Sequence, residues 1–175
     1  MGLSINNADC AVFTEVLEHL HYHYIPLILS KISRALKPEG VLVLTTLNIA
    51  SLFGRLRLLL GIQPIYHYHA REYTMKEVVS LLREAGFEVV KAYYSIVNDL
   101  TFIDADPEEY LRISGFKDLV RIVLKKPTKL NTLRLLAHPI VKIRPNLRQL
   151  IVIAATKAQA KMSDRRALLR YPNAS

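Results

Sequence analysis

Cysteine occurs once in this chain of 175 residues, glycine only six times, and no apolar run is long. A lone Cys10 excludes an internal disulfide, and with no secretion signal in view the sequence points to a reducing cytoplasm. Cys10 lies inside an apolar strand pattern, which predicts a small core residue. A bilayer-spanning helix needs about 20 apolar residues. Arg55 and Arg57 break the leucine-rich stretch near residue 58, and Arg144 and Arg148 break the one near residue 150. Gly54, Gly61 and Gly86 are isolated and fall beside predicted helices, so no glycine-rich phosphate or nucleotide loop is formed. Internal repeats and low-complexity tracts are absent. Acidic residues are scarce late in the chain. Residues 1–114 carry 10 Lys/Arg against 13 Asp/Glu, whereas residues 115–175 carry 14 against 2. Such asymmetry raises nucleic acid or anionic lipid as partners, although a solvated basic face is the commoner meaning.

What is present is globular. Hydrophobic residues make up 51% and charged residues 22%, over a length that suits one domain with a sizeable core. Residues 10–14 form a short unbroken apolar run, as in a strand buried on both faces. Ile25, Ile28, Leu29, Ile32 and Leu36 recur at helical spacing and predict a helix over 24–36. Pro38 and Gly40 mark a turn before a β-branched strand over 41–46. A helix over 50–60 with Gly61 past its end, and a loop over 62–73, come next. Thr74 and Glu77 have the spacing of a capping box. The helix they start carries Val78, Leu81, Leu82 and Ala85 and ends at Gly86. A strand over 87–94 follows. Residues 99–145 read as helical, broken at Pro107, Pro127, Pro139 and Pro145. A fourth strand spans 150–155, and a basic tail over 157–175 is expected to fray. Strands alternating with helices predict a layered α/β sheet whose ligands sit beyond the carboxyl ends of the strands. That rule directs attention to residues 14–23, 46–50 and 62–73.

Those segments hold an ionisable cluster. Glu15, Glu18 and His19 stand at i, i+3 and i+4 and would share one side of a helical turn. His67 and His69 lie in the later loop. Two carboxylates with one or two imidazoles suit a hard divalent cation. The plainer reading makes Glu18 and His19 a capping and orienting pair at the strand exit. His21 and His23, interleaved with Tyr22 and Tyr24, read as surface loop residues.

Four pieces now fall in one order. They are the strand leading into Glu15-Val16-Leu17-Glu18-His19-Leu20, the turn Leu36-Lys37-Pro38-Glu39-Gly40, the loop His69-Ala70-Arg71-Glu72-Tyr73-Thr74, and a helix closing in Ala85-Gly86-Phe87. Together they resemble the class I S-adenosylmethionine-dependent methyltransferases. The resemblance implies a partial Rossmann-like methyltransferase sheet with family strands in the order 4-5-7-6, the last strand antiparallel, and helices on both faces. Residues 1–156 would be the C-terminal part of the domain, with a helical insertion over about 99–145. Family strands one to three, their glycine-rich loop, the acidic residue for the cofactor ribose and the adenine contacts have no counterpart. A truncated gene or a misplaced start is therefore expected ahead of a naturally short, cofactor-free relative. The family's fourth strand would then show a bare edge, which invites a missing half, a second chain or self-association.

By the same resemblance the function is methyl transfer from S-adenosylmethionine to an acceptor, with a small molecule or lipid ahead of RNA. Two alternatives stand beside it: a non-catalytic remnant or binding module, and a metal-assisted enzyme similar to small-RNA 2′-O-methyltransferases. Glu15 and His69 are the candidate bases, needed only if the acceptor must lose a proton. Thr46 and Asn48 would line the acceptor pocket, though strand termination and a turn or cap also account for them. Phe13, Thr14 and Glu15 would face the cofactor. Glu15, Glu18, His19 and His69 would be the metal ligands. Arg71, Glu72 and Tyr73 read mainly as loop anchors. The basic C-terminal helices resemble a lid that touches an anionic membrane surface or an amphipathic substrate, giving a cytoplasmic protein with peripheral membrane attachment as the variant.

Overall fold

Apolar residues at every second position build the centre of the sheet. A computed structural model describes residues 6–101, 103–110 and 112–158. Its strands are β1 (Ala8–Thr14), β2 (Leu36–Leu47), β3 (Phe87–Ser95) and β4 (Leu150–Lys157), in the order β1-β2-β4-β3. β1 runs parallel to β2, and β4 lies antiparallel to both β2 and β3. The sheet order and the antiparallel last strand agree with the resemblance. Leu42 and Leu44 on β2 pair with Ala155 and Ile153 on β4, and all four are buried on one face. Helices α1 (Ile25–Ala35) and α3 (Met75–Glu84) cover that face with Ile25, Leu29, Val78, Leu81 and Leu82. The opposite face is half-buried at Val41, Val43, Val152 and Ala154.

β1 departs from the sequence reading. It alternates rather than being buried on both sides: Ala11 and Phe13 join the core, while Cys10, Val12 and Thr14 face solvent. Val12 is 71% exposed, and Cys10 is an exposed thiol instead of a core residue. The cause is positional, since β1 is an outer strand of the sheet and the pleat turns every second side chain to the open face. An outer strand leaves one row of backbone groups unpaired within the sheet, the expected bare edge.

The turn expected at Pro38 and Gly40 is absorbed into β2 as a bulge: Ala8 pairs with Leu36, yet Cys10 already pairs with Val41. Short α2 (Leu52–Leu59) follows, capped by the Ser51 hydroxyl accepting from the Gly54 amide, with Gly61 at φ +70° just past its end. Gly54 has no room for a side chain, because a Cβ there would lie 2.2 Å from the Ile49 carbonyl oxygen. At α3 the expected capping box is present in full between Thr74 and Glu77.

The late helices are α4 (Val97–Thr101), α5 (Pro107–Tyr110), α6 (Phe116–Lys125) and α7 (Lys129–Ile143). Leu100, Leu119 and Val123 form a second, smaller core. Pro139 does not break α7 as expected. It lies on the exposed side, where the Leu135 carbonyl that loses its amide partner can turn to water. The outward side of α7 differs too, because it shows Leu133, Leu136, Ile140 and Ile143 where a basic face was expected. No helix among the described residues is long and apolar enough to cross a membrane. The expected basic tail lies outside the described residues from 159 onward, and Lys157 still belongs to β4.

Candidate active site

Three segments meet beyond the carboxyl ends of β1 and β2: the exit of β1, the loop 62–73, and the start of α2. The chain leaves β1 at Glu15 in a left-handed conformation (φ +52°). For a non-glycine residue this costs on the order of 1 kcal/mol, and such strain concentrates at functional sites. Two bonds hold the turn: the Glu15 amide donates to the Thr45 carbonyl (3.1 Å), and the Thr45 hydroxyl donates to the Glu15 carboxylate (2.8 Å). Partial withdrawal from water pushes the Glu15 carboxyl up, and the neighbouring Glu18 adds to this, while Thr45 and His69 oppose it.

A 3-10 turn over Leu17–His19 then places Glu18 and His19. Glu15 lies before this turn, so the three residues do not share one helical turn as expected. Glu18 is buried, with 1% of its surface exposed, and accepts a hydrogen bond from the Thr46 hydroxyl at 2.7 Å. Its backbone carbonyl accepts from the amides of Ala70 and Arg71, which ties the loop 62–73 to the strand exit. His19 is exposed, and its ring stands edge-on to His69 with centroids 4.8 Å apart.

His69 is the best-oriented group of the site. Its Nδ1 lies 3.0 Å from a carboxylate oxygen of Glu72, and both side chains are about 8% exposed. The same Glu72 oxygen accepts from the Tyr66 amide. A carboxylate can only accept, so Nδ1 carries a proton, and in the neutral ring Nε2 is then the acceptor. Arg71 points away, donating to Glu77 at 2.5 Å and lying over the rings of Tyr22 and Tyr73.

These groups line a cavity of about 430 Å³ together with Asn48, Phe53, Arg57 and Arg134. Glu15, Glu18, His19, His69 and Asn48 are thus brought together as the sequence reading wanted. Asn48 does so with its polar atoms engaged: its amide donates to the carbonyls of Asn146 and Arg148, and its oxygen accepts from the Ala50 amide. Thr46 lies buried beneath the cavity, where its hydroxyl holds Glu18. Phe13 packs toward the core and Thr14 faces solvent on β1; neither lines the cavity. Ligand atoms of Glu18, His19 and His69 lie within 4.8 Å of one another, and Glu15 is not part of that group.

Sequence reasoning missed Glu72 as the partner of His69, and missed Arg134. The first had a signal in the i, i+3 spacing within the loop. The second had none, since Arg134 arrives from α7. Its guanidinium lies 3.8 Å above the Phe53 ring, donates to Gln149 at 3.2 Å, and sits 3.8 Å from Asp99. Burial pushes the Asp99 carboxyl up to about 6 and draws Arg134 down to about 10, so desolvation outweighs the attraction within the pair.

This has a consequence for stability. A carboxyl whose folded pKa exceeds its usual 3.8 binds its proton more tightly when folded. Its stabilising contribution is therefore present at the acid end and lost as pH rises through about 6. Between pH 4 and pH 7 the loss amounts to roughly 2–3 kcal/mol. Urea denaturation across that range is expected to show this component in the parent protein and to lack it in Asp99→Asn.

Comparison with known proteins follows the same lines. Residues 6–92 match a family model described as a methyltransferase domain. This segment belongs to the methyltransferase family. No curated protein matches the sequence. Among solved structures, the chain is similar to a SAM-dependent methyltransferase from Archaeoglobus fulgidus, with 19% identity, a TM-score of 0.51, and coverage of 89% of this chain and 62% of the other. It also aligns with a 1,6-didemethyltoxoflavin-N1-methyltransferase from Burkholderia thailandensis holding S-adenosylhomocysteine (16% identity, TM-score 0.44, covering 86% and 44%). A cyclopropane synthase from Mycobacterium tuberculosis gives 14% identity and a TM-score of 0.47, covering 87% and 56%. The chain thus spans less than two thirds of the length of each. The first likeness establishes the fold: a methyltransferase-type α/β sheet with an antiparallel last strand.

The methyltransferase cofactor, S-adenosylmethionine, finds no glycine-rich nucleoside site among the described residues. Glycines among them are isolated, and none belongs to a glycine-rich turn that would admit a nucleoside. The cavity walls, by contrast, offer an oriented imidazole, carboxylates and two guanidinium groups.

Proposed function

We propose that this cavity binds the methyl acceptor of an S-adenosylmethionine-dependent methyltransferase, and that His69 Nε2 takes the acceptor's proton. The observation that carries the reading is the His69–Glu72 pair, an imidazole held through Nδ1 at the wall of a cavity at the strand ends of a methyltransferase-family segment. Bound S-adenosylmethionine supplies a methyl group already activated on a sulfonium. What remains for the protein is to place the acceptor, exclude water and receive one proton. Glu72 fixes the imidazole, Thr46 fixes Glu18, and Glu15, with its carboxyl pushed up, is the second group able to hold a proton. A volume of about 430 Å³ favours a small-molecule acceptor.

The test is transfer of a labelled methyl group from S-adenosylmethionine to fractionated acceptors. Label on a small molecule, lost in His69→Ala, supports the reading. Label on RNA or lipid instead replaces the acceptor class. No transfer to any fraction, with no binding of S-adenosylhomocysteine, contradicts it.

A second reading rests on the group Glu18, His19 and His69. Each has another atom engaged: Glu18 with Thr46, His19 Nδ1 facing the Tyr68 carbonyl at 3.3 Å, and His69 Nδ1 with Glu72. Such outer contacts orient metal ligands. We infer that a divalent cation would take Nε2 of His69 and so displace its role as base. Calorimetric titration with Mn²⁺ tests this; heat of binding lost in His19→Ala supports it, and no heat removes it.

A further inference from the structure

The walls of the cavity divide by charge. The β1 exit and the loop 62–73 contribute carboxylates and imidazoles, whereas α2 and α7 contribute Arg57 and Arg134. We propose that the acceptor carries an anionic group, a carboxylate or a phosphate, and that Arg57 and Arg134 bind it while the methylated atom lies at His69. The inference rests on the cavity being the acceptor site.

Arg134 is 6% exposed and still reaches the cavity. Phe53 beneath it, Gln149 and Asp99 beside it fix the plane of its guanidinium. A planar fork held in one orientation is the arrangement that recognises carboxylate and phosphate oxygens in pairs. An arginine present only to neutralise Asp99 would sit within hydrogen-bond distance of it. Here the separation is 3.8 Å, and Asp99 instead accepts from the Gln149 amide at 3.0 Å. Arg57 follows Phe53 by four residues, so both lie on one side of α2. Arg57 is exposed and forms no ion pair among the described residues. With Asp99 offsetting Arg134, the pair keeps one net positive charge for a single anionic group.

The test is a titration of the ¹⁵N-arginine-labelled chain, followed at the arginine Nε–H signals by NMR. Sodium phosphate and sodium acetate are the two anionic probes, and acetamide is the neutral one of similar shape. Saturable shifts at Arg57 and Arg134, with the exposed Arg34 on α1 unmoved and acetamide silent, support the proposal; the stronger of the two anions identifies the group. Arg57→Gln is expected to weaken the effective anion about 10- to 100-fold. It is an exposed residue, so its replacement leaves the fold intact, which Arg134→Gln need not. Equal shifts at Arg34, equal shifts with acetamide, or unchanged binding in Arg57→Gln overturn the proposal. No cofactor enters this experiment, so anion binding without any methyl transfer would leave the subsite standing and remove the reaction. Transfer to an uncharged acceptor with KM unchanged in Arg57→Gln would do the reverse.

Discussion

Tyr73→Ala is expected to lower the unfolding free energy by about 3–5 kcal/mol, the range for removing a large buried aromatic side chain. Tyr73 has no exposed surface and lies in the main core with Leu17, Leu44 and Val78. It also fastens the site. Its backbone forms a bridge with Asn48, and its carbonyl accepts from the Ile49 amide at 3.1 Å, so the end of the loop 62–73 is stitched to the exit of β2. Loss of the ring should loosen the segment that carries His69 and Glu72 as well as the core beneath it. Tyr73→Phe should behave in the opposite way. The Tyr73 hydroxyl is buried with no hydrogen-bond partner among the described residues, and removing an unsatisfied polar group is neutral or stabilises by up to about 1 kcal/mol. Urea denaturation followed by circular dichroism measures both. A cost above about 1.5 kcal/mol for Tyr73→Phe would show that the hydroxyl is bonded after all.

The second large effect is catalytic. With acceptor and S-adenosylmethionine saturating, His69→Ala is expected to lower kcat by about 10²- to 10⁴-fold, the usual range for a general base. KM for the acceptor should change little, because the imidazole acts on one proton. Glu72→Gln should lose about 10- to 100-fold by a different route. An amide oxygen at position 72 still accepts from Nδ1–H, but the negative charge that would stabilise the imidazolium formed on proton transfer is gone. Stability should hardly change in that variant, since the Tyr66 amide keeps an oxygen acceptor at position 72. An unchanged kcat in His69→Ala would mean that the acceptor arrives without a proton to lose, and the site would then act by placement alone.

Local chemistry was legible in the sequence. The helical spacing of Ile25, Leu29 and Ile32, the Thr74–Glu77 box, and Gly61 and Gly86 past the ends of α2 and α3 each depend on neighbours within one or two turns. The strand order was not written in that way; it came from resemblance, because pairing such as Thr45 with Val152 joins segments about a hundred residues apart. Misreadings share one cause. Cys10 reads as core because its neighbours are apolar, yet its exposure is set by β1 being the outer strand. Pro139 reads as a break because it lacks an amide, yet its exposed position lets α7 continue. The site was legible as a list of residues and not as a set of partnerships. His69 and Glu15 could be named from their place beyond the strand ends and from the resemblance, but Glu72 behind His69, Thr46 behind Glu18 and Arg134 over Phe53 are products of the folded chain.

All of the proposed chemistry depends on which nitrogen of His69 carries its proton. Long-range ¹H–¹⁵N correlation spectra of the metal-free protein at neutral pH report this directly. The Nδ1–Glu72 contact predicts the Nδ1–H tautomer for the neutral ring, leaving Nε2 as the acceptor, both in the parent protein and in Glu72→Gln. An Nε2–H tautomer in the parent protein would contradict the account.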